Sequence, residues 1–130
     1  MALVVQKFGG SSVADAASIK RVAKRIAETK RMGNEVVVVV SAMGDTTDEL
    51  IDLAEQVTKA PPSREMDILL TAGERISMSL LAMAVTAEGT EAHAYTGQQA
   101  GLLTDDRYGQ ASILGIVPER ILRTIKDGAV

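Results

Sequence analysis

The sequence predicts an α/β fold in which parallel strands alternate with helices. Two short apolar runs, Leu3–Phe8 and Glu35–Val40, are each followed by a small polar loop. Between them lies a segment with the apolar periodicity of an amphipathic helix. The second run contains consecutive valines without alternation, which is typical of a parallel strand buried on both faces. Together these segments predict a right-handed βαβ unit.

The composition narrows the classes of function. The chain has 130 residues, enough for one domain or part of one, and is 46% hydrophobic and 24% charged, which predicts a folded protein. A net charge of −3 and a scarcity of aromatic residues argue against nucleic-acid binding. The absence of cysteine excludes disulfides, a thiolate nucleophile and a cysteine zinc site. No apolar run reaches the roughly 20 residues of a membrane span and the N-terminus lacks a signal-peptide pattern, so we expect a cytoplasmic protein without a membrane partner.

The first helix is predicted to begin after the N-cap residue Asp15 and to end at about Met32. Gly33 follows, as is typical of the residue just beyond a helix C-terminus. The helix carries one apolar stripe with helical spacing, which consists of Ile19, Val22, Ala23 and Ile26. We expect this stripe to pack against the strands.

The second helix follows the loop Ser41–Asp45. Thr46 and Glu49 have the spacing of a capping box, and the prolines at 61 and 62 stop the helix. Its buried stripe is predicted to consist of Leu50, Ile51, Ala54 and Val57.

The third helix is predicted to begin with Ser63 as its cap and to end near Gly89. A helix of about 25 residues is long for a globular protein, and Gly73 near its middle predicts a kink or a break. The apolar residues that it carries are Met66, Leu69, Leu70, Ile76, Leu80, Leu81 and Met83.

The remaining sequence predicts short strands and one more helix. Strands are expected at Ala92–Tyr95, at residues 102–103 and at Ser112–Ile116, within an otherwise irregular region. His93, the only histidine, is expected to be a packed or surface residue rather than a catalyst.

A last helix is predicted from Pro118 to Gly128. Its inward-facing residues are expected to be Ile121, Leu122 and Ile125. The final residues, Ala129 and Val130, resemble the start of a further strand, so we expect the chain to be a fragment of a larger α/β domain.

Polar and small residues follow both predicted parallel strands. Ligands of open α/β sheets bind at the carboxyl ends of the strands, so these residues should converge on one edge. They are Lys7, Gly9, Gly10, Ser11, Ser41, Gly44, Asp45 and Thr47. A fixed cation, backbone N–H donors and hydroxyls suit phosphoryl transfer to a carboxylate, which is ionised at pH 7 and needs no base. The alternative is a tight β–α turn with an exposed lysine.

Other motifs limit the possibilities. The P-loop pattern, the Gly-x-Gly-x-x-Gly fingerprint and the Gly-x-Ser-x-Gly elbow are all absent. Glu74 is a second candidate, because a carboxylate exposed by a helix break could accept a substrate ammonium group. The alternative for Glu74 is a surface residue paired with a nearby arginine.

Three segments of the chain resemble the N-terminal signatures of aspartate kinases, which have the amino-acid kinase fold. They are Lys7–Val13 (KFGGSSV), Val38–Gly44 (VVVSAMG) and Leu70–Ser77 (LTAGERIS). Asp45–Leu50 and Thr96–Gly101 further resemble the actinobacterial type. Because the three segments occur in register over the whole chain, the resemblance is much more specific than any one motif.

The resemblance implies a three-layer αβα sandwich with a mainly parallel central sheet, here incomplete. It implies transfer of the γ-phosphoryl group of Mg-ATP to the side-chain carboxylate of L-aspartate, the committed step towards lysine, threonine and methionine. Lys7 would stabilise the transferring group, and Glu74 would bind the substrate amino group. The remaining implied residues are Phe8, Gly9, Gly10 and Ser11 at the phosphates, and Ser41, Asp45 and Thr47 at the substrate. No metal ligand is expected from the chain.

The resemblance also implies that residues 1–130 are the N-terminal portion of a catalytic domain about twice as long. The nucleotide-base pocket, a substrate-binding arginine, a catalytic aspartate and regulatory ACT domains would follow, so this portion alone is expected to be inactive. A homo-oligomer or a complementing C-terminal half is the expected partner, since an unpaired sheet edge favours association. Two alternatives stay open: a truncated non-catalytic chain acting as an interaction or carrier partner, and a related kinase acting on glutamate, carbamate or a nucleotide.

Overall fold

The computed structural model describes residues 1–130 and is an α/β structure, as the sequence predicts. Its helices and strands are, in chain order, β1 (Leu3–Phe8), α1 (Ala16–Arg31), β2 (Glu35–Val40), α2 (Thr46–Val57), α3 (Ser63–Ala87), β3 (Leu102–Thr104), β4 (Ile113–Ile116) and α4 (Glu119–Lys126). A short 3₁₀ helix, Gly10–Val13, joins β1 to α1 and was not predicted. β1 and β2 form a parallel pair, and β3 and β4 form a separate antiparallel pair.

The β1–α1–β2 unit is the structural centre of the chain. β1 and β2 pair from Leu3 opposite Glu35 to Phe8 opposite Val40, so both strands end at the same edge. The core lies between these strands, α1 and α3, and all four residues of the predicted α1 stripe belong to it. Its buried members are Val13, Ile19, Val22, Ala23, Ile26, Val36, Leu81 and Val85. The predicted βαβ unit is therefore confirmed.

Only one face of the β1–β2 pair is well covered. Val36 is fully buried, whereas Val5 and Val39 on the opposite face are 64% and 50% exposed. The prediction that Glu35–Val40 is buried on both faces is therefore wrong for this chain. The helices α1, α3 and α4 all contact β2, yet they leave Val5 and Val39 exposed.

The start of α1 agrees with the prediction. The Ser18 backbone N–H donates to Oδ1 of Asp15 at 2.7 Å, so Asp15 is the N-cap residue. This hydrogen bond favours the ionised carboxylate and lowers the pKa of Asp15 below its usual value. Gly33 has a φ of +90°, the left-handed conformation expected just beyond the helix.

The predicted caps of α2 and α3 are wrong. Thr46 and Ser63 are the first residues of their helices rather than caps, and neither helix has a side-chain cap hydrogen bond. None of the four residues in the buried stripe predicted for α2 is fully buried, because Leu50, Ile51 and Ala54 are half-buried and Val57 is 79% exposed. Each helix therefore begins one residue earlier than predicted, and the residue before it makes no side-chain cap hydrogen bond.

α3 is continuous, so of the predicted kink or break at Gly73 the break is wrong. Its core face consists of small and apolar residues four apart, namely Gly73, Ser77, Leu81 and Val85. Ile76 and Met83, two of the apolar residues that the helix carries, are 53% and 65% exposed because they lie off this face. α3 is apolar nearly all round, which made its buried face hard to predict.

By length and composition alone, α3 could also cross a membrane. A core helix of a soluble protein passes the same test, and α3 packs against α1 and α2.

The remaining elements follow the predictions in part. β3 and β4 occur close to the predicted positions, but Ala92–Tyr95 forms no strand. Val130 alone pairs there: its N–H donates to the Glu91 carbonyl and its carbonyl accepts from the His93 N–H, both at 2.9 Å. One paired residue is too short a ladder for a strand.

His93 lies at the surface, and α4 buries only part of its predicted inward face. The His93 imidazole is half exposed and lies 2.8 Å from the Glu91 carboxylate, in agreement with a surface role. In α4, Ile125 is buried as predicted, whereas Leu122 is 53% exposed, contrary to its predicted inward position.

Candidate active site

Lys7 lies near the carboxyl end of β1 as an unpaired cation. Phe8 packs against the core and Gln6 donates to the Thr29 hydroxyl of α1, so these neighbours point to the covered face of the sheet. Because side chains alternate along a strand, Lys7 points to the open face. Its side chain is exposed and forms no hydrogen bond or salt bridge with another residue. The Lys7 ammonium is therefore free to bind an anionic group.

The two predicted loops meet through their backbones. The Ser41 N–H donates to the Phe8 carbonyl at 3.1 Å, which extends the strand pairing by one residue. The Gly44 N–H then donates to the Gly10 carbonyl at 2.9 Å. Gly44 has a φ of +49°, which a residue with a side chain rarely adopts. The predicted convergence of the two loops on one edge is observed.

The adjacent glycines of the first loop have different surroundings. A Cβ atom on Gly10 would lie 2.9 Å from the Gly44 carbonyl oxygen and 3.0 Å from that of Ala42. A Cβ atom on Gly9 would meet nothing within 4 Å, and Gly9 has an ordinary extended backbone with φ −77°. Gly10 is therefore required for the close approach of the loops, whereas Gly9 faces open space.

This difference predicts that alanine destabilises the protein at Gly10 and has little effect at Gly9. Gly10→Ala should lower the free energy of unfolding by about 1–3 kcal/mol, because backbone atoms would have to move. Gly9→Ala should change it by less than about 0.5 kcal/mol. Urea unfolding of the two variants measures both values. Equal stability of the two variants would show that the loops do not approach as described.

The third predicted segment contacts the second loop through α3. The Ser77 hydroxyl donates to the Ser41 carbonyl at 2.6 Å. One turn earlier, a Cβ atom on Gly73 would lie 3.0 Å from Cβ of Ala42, so a side chain at this position would push the helix and the loop apart by a few tenths of an ångström. α3 is therefore held against the loop that follows β2.

Glu74 occupies the exposed side of this helix turn. It forms no salt bridge, so the alternative that it is paired with an arginine is not observed. It borders a cavity of about 720 Å³ that runs along β2 and the 92–97 segment. Its carboxylate is exposed on a regular helix rather than by a helix break.

Several predicted site residues lie in the right segments without defined side-chain partners. Ser11 is in the 3₁₀ helix, whereas Asp45 and Thr47 are at the start of α2. No side-chain hydrogen bond involves any of the three, and no group of histidine and acidic residues could hold a metal ion. The structure thus brings together the backbones of the three segments, and the side chains of these three residues have no hydrogen-bond partner within the protein.

Sequence reasoning missed Ser77 and the reason for Gly73. Both are small residues four apart on one helix, a spacing that allows close packing against a neighbouring backbone. This spacing was the available signal, but the sequence analysis considered only the apolar residues of the helix.

Residues 2–130 match the amino acid kinase family. The chain is 61% identical over all 130 residues to an aspartokinase of Mycolicibacterium smegmatis and 57% identical to one of Corynebacterium glutamicum. It spans about 31% of the length of each of these relatives.

Two solved structures have the same fold. The crystal structure of aspartate kinase from Synechocystis matches with a TM-score of 0.83 at 44% identity, over 97% of this chain and 20% of that one. E. coli aspartokinase III, solved in complex with aspartate and ADP, matches with a TM-score of 0.81 at 21% identity, over 98% of this chain and 39% of that one. The family match over nearly the whole chain, together with these folds, shows that the chain belongs to the amino acid kinase family.

Proposed function

We propose that this chain forms the phosphate-binding and acceptor-binding wall of an aspartate kinase. The observation that carries the proposal is the backbone connection of the two strand-end loops, from the Gly44 N–H to the Gly10 carbonyl at 2.9 Å. This hydrogen bond holds the end of β1, where Lys7 has no internal partner, beside the loop Ser41–Asp45 that follows β2. The 61% identity to an aspartokinase over the whole chain supports the same substrate.

The nucleotide phosphates are proposed to bind at the end of β1. Lys7 would neutralise the charge that develops on the transferring phosphoryl group, since its ammonium has no internal partner. Gly9 leaves open space for the phosphates to approach the backbone, and Phe8, Gly10 and Ser11 complete this side. Mg²⁺ is proposed to arrive bound to ATP.

L-Aspartate is proposed to bind between the second loop and α3. Ser41, Asp45 and Thr47 would contact its polar groups, and Glu74 would pair with its ammonium group. An oxygen of the side-chain carboxylate attacks the γ-phosphorus, while the bond from that phosphorus to the bridging oxygen breaks. ADP leaves with the bonding electrons, 4-phospho-L-aspartate forms, and no proton is transferred.

We further propose that other parts of the protein complete the site. Because the chain spans about 31% of its relatives, the base pocket, a substrate arginine, a catalytic aspartate and the ACT domains are assigned to sequence outside these residues. A second copy or a C-terminal half would be the partner. The proposed setting is cytoplasmic biosynthesis of lysine, threonine and methionine, without nucleic-acid or membrane contacts.

A chimera tests this proposal. In it, the 130 residues replace the matching residues of the Mycolicibacterium smegmatis aspartokinase. With Mg-ATP and hydroxylamine, which traps acyl phosphates, the chimera should form a hydroxamate from L-aspartate and not from L-glutamate. The isolated chain should form none. A hydroxamate from glutamate alone, or activity independent of any amino acid, would contradict the proposal.

A further inference from the structure

The Ser77 hydroxyl contacts the backbone of both residues at the centre of the proposed acceptor site. Its Oγ lies 2.6 Å from the Ser41 carbonyl oxygen and 3.1 Å from the Glu74 carbonyl oxygen. The residue is fully buried, with no exposed surface, so it cannot itself contact a substrate in this arrangement.

The 2.6 Å contact with the Ser41 carbonyl is the one that carries the hydrogen bond. A hydroxyl has one proton, and the distances indicate that it is donated to Ser41. No backbone N–H donates to the Ser41 carbonyl, so Ser77 is the partner that this carbonyl has in the protein. Ser41 is half-buried, so its carbonyl should move or take up water when it loses this partner, because an unsatisfied acceptor away from bulk water is unfavourable.

The hydrogen bond from Ser77 to Ser41 lies on the acceptor side of the proposed site. α3 carries Glu74, and the loop after β2 carries Ser41 and leads into Thr47. The phosphate side is joined to that loop by two backbone hydrogen bonds that do not involve Ser77, from the Ser41 N–H to the Phe8 carbonyl and from the Gly44 N–H to the Gly10 carbonyl. Loss of the Ser77 hydroxyl therefore removes the hydrogen bond that joins Ser41 to the helix carrying Glu74, and it leaves the backbone hydrogen bonds to the phosphate side in place.

We infer that Ser77 is a positioning residue that fixes the distance between Ser41 and Glu74, and thereby the fit of the amino-acid acceptor. This inference rests on the proposed function. Ser77 acts through the backbone of the two residues, and it makes no contact with the reacting atoms.

Ser77→Ala in the chimera tests the inference, with Ser79→Ala as the matched control. Ser79 lies on the same helix, and its hydroxyl donates at 2.6 Å to the Arg75 carbonyl within α3. Ser77→Ala should raise the KM for L-aspartate about tenfold and change the KM for ATP by less than about twofold. Ser79→Ala should change both constants by less than about twofold.

An equal rise of both KM values, or an unchanged KM for aspartate, would overturn the inference. If Ser77→Ala fails to fold, Ser77→Cys keeps a weak donor of similar shape and should raise the KM for aspartate by a smaller factor.

Amide hydrogen exchange gives a readout that does not depend on activity. Residues 41–47 should exchange faster in Ser77→Ala than in Ser79→Ala, whereas residues 9–13 should be unchanged. Equal exchange of residues 41–47 in the two variants would overturn the inference. The proposed function fails separately, if the unsubstituted chimera releases no ADP with aspartate.

Discussion

Lys7→Ala in the chimera is expected to lower kcat by about 10²–10³, which is the loss typical of one preorganised group that stabilises developing charge. The reason lies in the position of the side chain. Lys7 is exposed at the end of β1, on the open face of the sheet, and it has no internal partner that would compete with a phosphate. Steady-state ADP release at saturating ATP and aspartate measures the effect.

The control for this prediction is Lys20→Ala. Lys20 is an exposed residue on α1, and its removal changes the net charge of the protein by the same amount. It should leave kcat unchanged, and neither variant should shift the urea midpoint noticeably, since surface substitutions have small effects on stability. A loss smaller than about tenfold in Lys7→Ala would remove Lys7 from the proposed role.

Glu74→Gln should raise the KM for L-aspartate about tenfold to a hundredfold, because a hydrogen bond between charged groups contributes about 1.5–3 kcal/mol. Glutamine keeps the size of the side chain and removes its charge. The KM for ATP should stay the same, since the carboxylate is assigned to the acceptor side. Initial rates over a matrix of both substrate concentrations separate the two constants.

Glu65→Gln is the matched control for this substitution. Glu65 is also on α3, but its carboxylate pairs with Arg64 at 2.7 Å near the start of the helix. This variant should leave the KM for aspartate unchanged. An unchanged KM for aspartate in Glu74→Gln would show that the ammonium group binds elsewhere.

The βαβ centre of the fold could be predicted from the sequence because its signals are local. The bounds of β1 and β2 match the predicted runs, and the cap at Asp15 is a side-chain property of one residue. The convergence of the two loops followed from parallel pairing alone. These features depend on periodicity and on strand direction, and both are determined by residues that are close together in the sequence.

The errors arose where tertiary contacts decide the outcome. Gly73 predicts a break by its intrinsic propensity, but in the protein it allows α3 to approach Ala42 closely. Ser77 is a polar residue inside an apolar helix, and its partner is a carbonyl 36 residues away in sequence. Val39 was expected to be buried, yet whether its face is covered depends on elements beyond the strand pair.

The most direct test of the account is ADP release by the chimera, with and without L-aspartate, beside the parent enzyme. The account predicts aspartate-dependent release at a rate within about tenfold of the parent, because the chain would supply the residues assigned to this wall of the site and the parent sequence would supply the rest. A folded chimera that releases no ADP with aspartate, beside an active parent, would contradict the account.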